Sequence, residues 1–65
     1  MEEVVEFNIE IAGITKCGKE FYREISVSKI SEGIIVDFVK EISPDLFKEV
    51  QIDNLVTGRI LYKYP

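Results

Sequence analysis

The stretch SEGIIVDFVKEI, from Ser31 to Ile42, decides the fold of this 65-residue chain. Apolar residues in it and just before it recur at the three- and four-residue spacing of a helical face. They are Ile30, Ile34, Ile35, Phe38, Val39 and Ile42. Ser31 is the predicted N-cap of this helix. The predicted end is at Ser43-Pro44, because proline has no N–H and restricts the residue before it.

The apolar surface of this helix is wider than one sheet covers. With residues about 100° apart around the axis, the polar ones fall into one narrow strip. One apolar group, with Phe38 at the centre of the core, is expected to face the sheet. This group is Ile30, Ile34, Phe38 and Ile42. The flank formed by Ile35, Val36 and Val39 then points sideways or outward, and it is the predicted partner-binding surface. Three covers remain open: a short turn carrying Leu46 and Phe47 inward, a second copy, or another protein.

Four segments alternate apolar and polar residues with the period of two that is typical of strands. They are Val4–Ala12, Glu20–Ser28, Glu49–Asp53 and Arg59–Tyr64. Matching apolar with apolar positions predicts that the first two strands form a hairpin. The predicted pairs are Val5 with Val27, Phe7 with Ile25, Ile9 with Arg23 and Ile11 with Phe21, around a loop from Ile14 to Gly18.

The last strand is predicted to pair Tyr62 with Ile52, with Ile60, Tyr62 and Tyr64 on one face. Pairing of this strand with the first strand stays open. The element order is therefore strand, strand, helix, strand, strand, and we expect one small α+β domain over residues 1–65. Its helix packs on one face of a mainly antiparallel sheet.

This ββαββ order resembles the β-grasp architecture of ubiquitin and the sulfur-carrier proteins. Those carriers end in an activated Gly-Gly tail, whereas this chain ends Lys63-Tyr64-Pro65. The resemblance therefore implies a fold and no carrier chemistry. A hairpin followed by a helix and a strand also occurs in small ribosomal and RNA-binding modules.

Composition excludes several classes of protein. The net charge of −4 argues against nucleic acid, because neutralising phosphates supplies most non-specific affinity. The longest uninterrupted apolar run is Ile34-Ile35-Val36, so we expect no membrane span. A single cysteine and the acidic start at Glu2 and Glu3 favour a cytoplasmic protein without a signal peptide. The many isoleucine, Glu and Lys residues are typical of thermophiles, although an AT-rich genome gives the same bias.

The candidate reactive groups are few. Cys17 lies between lysines that favour its thiolate, but the chain contains no histidine to act as a base. We expect this cysteine to be exposed and dispensable. One cysteine without histidine also excludes the usual zinc site. The carboxylates of Glu6, Glu10 and Glu24 share a strand face, which we interpret as solvated rather than cation-binding.

Two further residue types are candidate binding groups. Arg23 is interpreted as reaching from a sheet edge into solvent, with a role in holding an acidic partner as the alternative. The tyrosines at positions 22, 62 and 64 are a candidate stacking platform for single-stranded nucleic acid. We expect the last two to pack in the core instead.

The sequence thus predicts a small non-enzymatic interaction module without catalytic residues, cofactor or metal. We expect it to self-associate as a homodimer or to dock on a larger protein through its helix. The alternative is a nucleic-acid-associated regulator that uses the lysine-tipped loop and the tyrosines.

Overall fold

A computed structural model of the chain describes residues 5–65. The elements are β1 (Glu6–Thr15), β2 (Glu20–Ser28), α1 (Lys29–Leu46), β3 (Phe47–Asn54) and β4 (Ile60–Tyr64). This is the ββαββ order of the predicted α+β class. The predicted start of the first strand at Val4 and the acidic Glu2 and Glu3 lie outside the described residues.

Within residues 5–65 the strands form one antiparallel sheet in the order β2-β1-β3-β4. β1 is therefore central, between β2 and β3, and β4 pairs with β3 rather than with β1. The helix connects β2 to β3 and covers one face of this sheet. None of the helices in the described part of the chain is long and apolar enough to cross a membrane.

The predicted register of the first hairpin is wrong by two residues. Phe7 lies opposite Val27 and Ile11 lies opposite Arg23, and β1 continues as far as Thr15. A shift of two preserves the side of the sheet on which each residue lies, so the predicted faces of these strands are correct. The loop is correspondingly shorter, and its Gly18 has the positive φ of 89° that favours glycine.

Gly13 explains the error, because the predicted first strand ends before it, at Ala12, whereas β1 continues through it to Thr15. A Cβ at this position would come within 2.5 Å of the carbonyl oxygen of Glu49 and 2.9 Å of Val50 Cα on β3. Only glycine permits that close approach of two backbones. The sequence alone does not distinguish this role from a turn.

The helix is longer than predicted at both ends. Ser28 is the N-cap: its side chain accepts a hydrogen bond from the backbone N–H of Ser31, which is the N3 residue of a capping box. Pro44 lies inside the helix instead of ending it. The missing proline N–H would have reached the carbonyl of Lys40, an exposed residue that water can solvate, and the helix ends two residues later at Leu46.

The predicted rotation of the helix about its axis is also wrong. Phe38, expected at the centre of the core, is 60% exposed, and Ile30 and Ile34 are 79% and 64% exposed. Val39 is instead only 6% exposed. An apolar arc twice as wide as one sheet requires is compatible with either rotation, so periodicity alone could not decide between them.

The core lies between this helix face and the sheet. Its buried apolar members are Ile9, Ile11, Val27, Val39, Phe47, Val50 and Ile52. The rings of Phe21 and Phe47 meet edge to face with their centroids 5.5 Å apart. Phe47 is therefore inward as predicted, whereas Leu46 is 52% exposed.

β4 agrees with the prediction over part of its length. Tyr62 lies opposite Ile52, as expected. A bulge between Ile52 and Asp53 then shifts the register, so Leu61 packs against the core while Ile60 is 58% exposed. The predicted face of Ile60, Tyr62 and Tyr64 is thus correct only for the two tyrosines.

Candidate functional site

Three apolar side chains on the solvent side of the helix form what we call the outer stripe: Ile30, Ile34 and Phe38. They are spaced by four residues, so they stack on successive turns and cover about 12 Å along the axis. Their exposed fractions are 79%, 64% and 60%. Single exposed apolar residues are ordinary, but a contiguous row of large ones is typical of an interaction surface.

A second row of residues runs beside the outer stripe on the helix surface. It has the same four-residue spacing and contains Lys29, Gly33, Asp37 and Glu41, all of them exposed. Gly33 makes a gap in this row, because nothing lies within 4 Å of the Cβ that another residue would place there. The helix surface next to Ile34 is therefore open at Gly33.

The charges around the outer stripe are unevenly distributed along the helix. Lys29 lies at the N-terminal end, where its ammonium is 3.6 Å from the carboxylate of Glu32. From Asp37 onward the helix carries three carboxylates, of Asp37, Glu41 and Asp45, against one cation, Lys40, and the last turn contains no basic residue. Negative charge near a helix C-terminus is unfavourable, because the helix dipole is negative at that end.

The predicted partner-binding residues occupy a different place from the one expected. Val39 is buried, and Ile35 and Val36 are half-buried and packed against the core. The apolar arc of the helix is nevertheless too wide for one sheet, and part of it is uncovered, as the sequence predicts. The uncovered part is on the opposite side of the helix, and its position follows only from the rotation of the helix about its axis.

The opposite face of the sheet carries a row of carboxylates across three strands. Glu10 on β1 lies directly opposite Glu24 on β2 and Asp53 on β3. Neutral donors bind these groups: Tyr22 Oη donates to Glu10 Oε2 at 3.1 Å, and Asn8 Nδ2 donates to Glu24 Oε2 at 3.0 Å. Accepting this bond, Glu10 raises the pKa of the Tyr22 phenol.

Two more carboxylates of the described chain have similar neutral partners. Gln51 Nε2 donates to Asp53 Oδ1 at 2.8 Å, and Ser26 Oγ donates to Glu6 Oε2 at 3.1 Å. Among residues 5–65, no group of three or more His, Cys, Asp or Glu side chains is arranged to hold a metal ion. These hydrogen bonds and the exposure of the face fit the interpretation of a solvated surface.

Cys17 is exposed in the loop between β1 and β2. The Thr15 hydroxyl, with Oγ1 3.2 Å from Sγ, is the main cause that lowers the pKa of this thiol, and the backbone N–H of Lys19 is the second. The sequence predicts that neighbouring lysine charges lower the pKa of Cys17; the direction of this shift agrees with the structure, whereas its main cause differs. A shallow groove of about 470 Å³ lies beside the thiol, walled by Phe21, Leu46 and Phe47.

The three tyrosines do not come together. Tyr22 lies on the carboxylate face, whereas Tyr62 and Tyr64 pack against the core on the other side of the sheet. Arg23 is exposed at the β2 edge, where its guanidinium lies 4.9 Å from the centroid of the Phe21 ring and donates to the Tyr22 carbonyl at 2.7 Å. These contacts agree with an arginine that reaches from the edge into solvent.

No protein-family model, curated protein or solved structure matches this chain. From its own fold and surface, the protein is a small α+β domain with one helix, and the described residues leave the outer stripe of that helix uncovered. Any functional assignment depends on the geometry of that surface.

Proposed function

We propose that this chain is a non-enzymatic protein-interaction module that docks on another protein chain through the outer stripe. The observation that carries the proposal is the exposure of Ile30, Ile34 and Phe38 in one continuous row. An apolar centre with charged residues along its border is the usual composition of a protein interface.

The energetics of a small domain support this proposal. Burying each large apolar side chain provides roughly 1.5–3 kcal/mol, and a chain of this length has little stability to spare. Three such side chains on the outside of one helix leave that free energy unused in the isolated molecule. A partner that covers the outer stripe recovers it.

The non-enzymatic part of the proposal rests on the reactive groups. The chain contains no histidine, and the Cys17 thiol is held by a threonine hydroxyl and a backbone N–H rather than by a general base. We also propose that the protein is cytoplasmic. An exposed free thiol, that of Cys17, is compatible with a reducing compartment.

Site-specific photo-cross-linking in the native host cells tests the proposal. A photoreactive phenylalanine analogue replaces Phe38, and irradiation should give one or a few adducts of defined mass. Adding Ile34→Glu, which places a charge in the middle of the outer stripe, should abolish those adducts. The same analogue at Tyr22, on the carboxylate face, is the matched control and should give none of them. Adducts that are diffuse, or that persist with Ile34→Glu, contradict the proposal.

A further inference from the structure

We infer that the partner on the outer stripe is a second copy of this chain, bound as an antiparallel pair of helices around a two-fold axis near Ile34. This inference rests on the proposed function and specifies its partner. A two-fold contact uses the same surface on both molecules, so one apolar stripe serves both sides. Ile34 then meets its own copy, and Ile30 of each chain lies near Phe38 of the other.

The spacing of the outer stripe matches a common way of packing two helices. Residues four apart form a ridge on a helix, and such ridges of two helices interlock when the helices cross at about 50°. The row from Lys29 to Glu41 runs parallel to the stripe, and the space between the two rows is the groove. Because Gly33 has no side chain, the groove is deepest next to Ile34, where the ridge of a second copy would enter.

Gly33 has no evident role in the isolated molecule. Its φ is not positive, since the positive-φ glycines of the described chain are Gly18 and Gly58. Nothing surrounds it that a side chain would strike. Glycine is nevertheless among the poorest helix formers, so its presence in the second turn of an exposed helix weakens that helix. A closely packed second helix is a physical reason for glycine at this position.

The charges select the antiparallel arrangement. A parallel pair would bring Asp37, Glu41 and Asp45 of one chain beside the same three carboxylates of the other. An antiparallel pair about Ile34 instead brings the helix N-terminus and Lys29 of one copy beside Asp37 and Glu41 of its partner. These two carboxylates then lie near the positive end of a helix, which makes the antiparallel arrangement the more favourable one.

The size of the stripe sets the expected strength of the dimer. Specific interfaces of standard size bury about 1,600 Å² in total and have dissociation constants from micromolar to picomolar. Three side chains per copy, on helices that cross, bury less than that. We therefore expect a dissociation constant weaker than about 1 µM.

Analytical ultracentrifugation of the full chain tests the association. The weight-average mass should rise from one chain toward two between roughly 1 µM and 1 mM. Ile34→Glu should weaken association at least tenfold, and so should Gly33→Gln, which fills the groove with an uncharged helix-forming residue. Both variants should keep the circular dichroism spectrum of the wild type, because neither site contacts the core. Tyr22→Gln, on the other face of the sheet, is the matched control and should dimerise normally.

Disulfide formation tests the orientation, in a Cys17→Ser background so that each chain carries one thiol. Oxidation of Ile34→Cys should give a covalent dimer, since this residue lies on the two-fold axis. Asp45→Cys should give none, because 11 residues on each side of the axis separate the two thiols by about 30 Å in an antiparallel pair. Adding Gly33→Gln to Ile34→Cys should slow the formation of the covalent dimer at least tenfold.

Two results overturn the inference: a chain that remains monomeric to about 1 mM, or a dimer that is unaffected by Ile34→Glu and Gly33→Gln. Cross-linking through Asp45→Cys, with or without cross-linking through Ile34→Cys, overturns the antiparallel arrangement. A monomeric purified chain that still forms a heavier stripe-dependent adduct in cells excludes the second copy but leaves the docking function standing. Absence of both dimer and adduct overturns both proposals.

Discussion

Thr15 is the residue that does most to set the acidity of the exposed Cys17 thiol. Its hydroxyl donates toward the sulfur and favours the thiolate, so the pKa lies below the ordinary value of 9.0. In Thr15→Val this donor is lost, and the pKa should rise. The pH midpoint of iodoacetamide labelling under native conditions should therefore move upward, with slower labelling at any pH below it.

The control for this experiment is Thr57→Val, in the turn between β3 and β4, where the hydroxyl accepts from Arg59 N–H at 3.3 Å. Its labelling midpoint should equal that of the wild type. An unchanged midpoint in Thr15→Val would show that the hydroxyl does not act on the thiol. Labelling that requires denaturant would contradict the exposure of the loop.

Gly13 is the residue at which the backbone geometry tolerates the least change. In Gly13→Ala the new methyl group meets the β3 backbone within 3 Å, and neither strand can move without disturbing the central pair of the sheet. We expect a loss of about 1–3 kcal/mol in the free energy of unfolding, measured by urea denaturation.

Gly33→Ala is the matched control for this change, at concentrations where the chain is monomeric. It replaces a helical glycine in open space, so it should raise the free energy of unfolding by about 1 kcal/mol. Equal effects of the two substitutions would mean that β1 and β3 do not approach at Gly13 as described.

At the scale of the element, the rotation of the helix is the feature that most needs an independent test. Phe38 and Val39 are neighbours in sequence but face opposite environments, with 60% and 6% exposure. Val39→Ala removes two buried methyl groups and leaves a cavity, and it should cost roughly 2 kcal/mol. Phe38→Ala should change the stability of the monomer by less than about 0.5 kcal/mol.

Urea denaturation at a low, fixed protein concentration measures both values, so that association does not contribute to stability. The reverse order, with Phe38→Ala the more harmful, would return the helix to the rotation that the sequence first suggested. The larger side chain is the exposed one here, so the expected order cannot arise from side-chain size.

The sequence predicts an element correctly where the spacing of its apolar residues fits only one period, either the period of two typical of a strand or the period of about 3.6 typical of a helix. The alternation in β2, interrupted only at Tyr22 and Arg23, gives Glu20–Ser28 as predicted, and the spacing of Ile35, Val39 and Ile42 leaves no alternative to a helix. The ends of the helix are less readable, because Ser28 and Ser31 are equally suitable caps by residue type. Only the reciprocal hydrogen bonds of the capping box identify Ser28 as the N-cap.

At the scale of the whole molecule, what the sequence leaves undetermined is how the elements fit together. The sequence does not show that Gly13 is a strand residue, because the reason for glycine there is its contact with β3. The bulge next to Ile52 likewise depends on the pairing of β3 with β4. The candidate site shows the same limit. An apolar arc of excess width predicts an uncovered surface, but its position at the outer stripe rather than at Ile35, Val36 and Val39 depends on packing between distant residues.

The distribution of charge over the whole molecule gives the last prediction. The net charge is −4, and one face of the sheet presents the row of Glu24, Glu10 and Asp53 across three strands. The tyrosines that a stacking platform requires lie on opposite sides of that sheet. Phosphate repulsion should therefore prevent appreciable binding of single-stranded or double-stranded nucleic acid at physiological salt.

Fluorescence anisotropy with labelled oligonucleotides, at several salt concentrations, measures this. Glu10→Lys combined with Glu24→Lys removes two negative charges and adds two positive ones, so the net charge changes from −4 to zero. This variant should gain only weak, salt-sensitive binding, because uniform phosphate contacts carry no sequence information. If the wild type binds with a dissociation constant below about 10⁻⁶ M, and this constant rises steeply with salt, the affinity is higher than that of ordinary non-specific binding. It would favour a nucleic-acid-associated function, with the loop lysines Lys16 and Lys19 as the first residues to substitute.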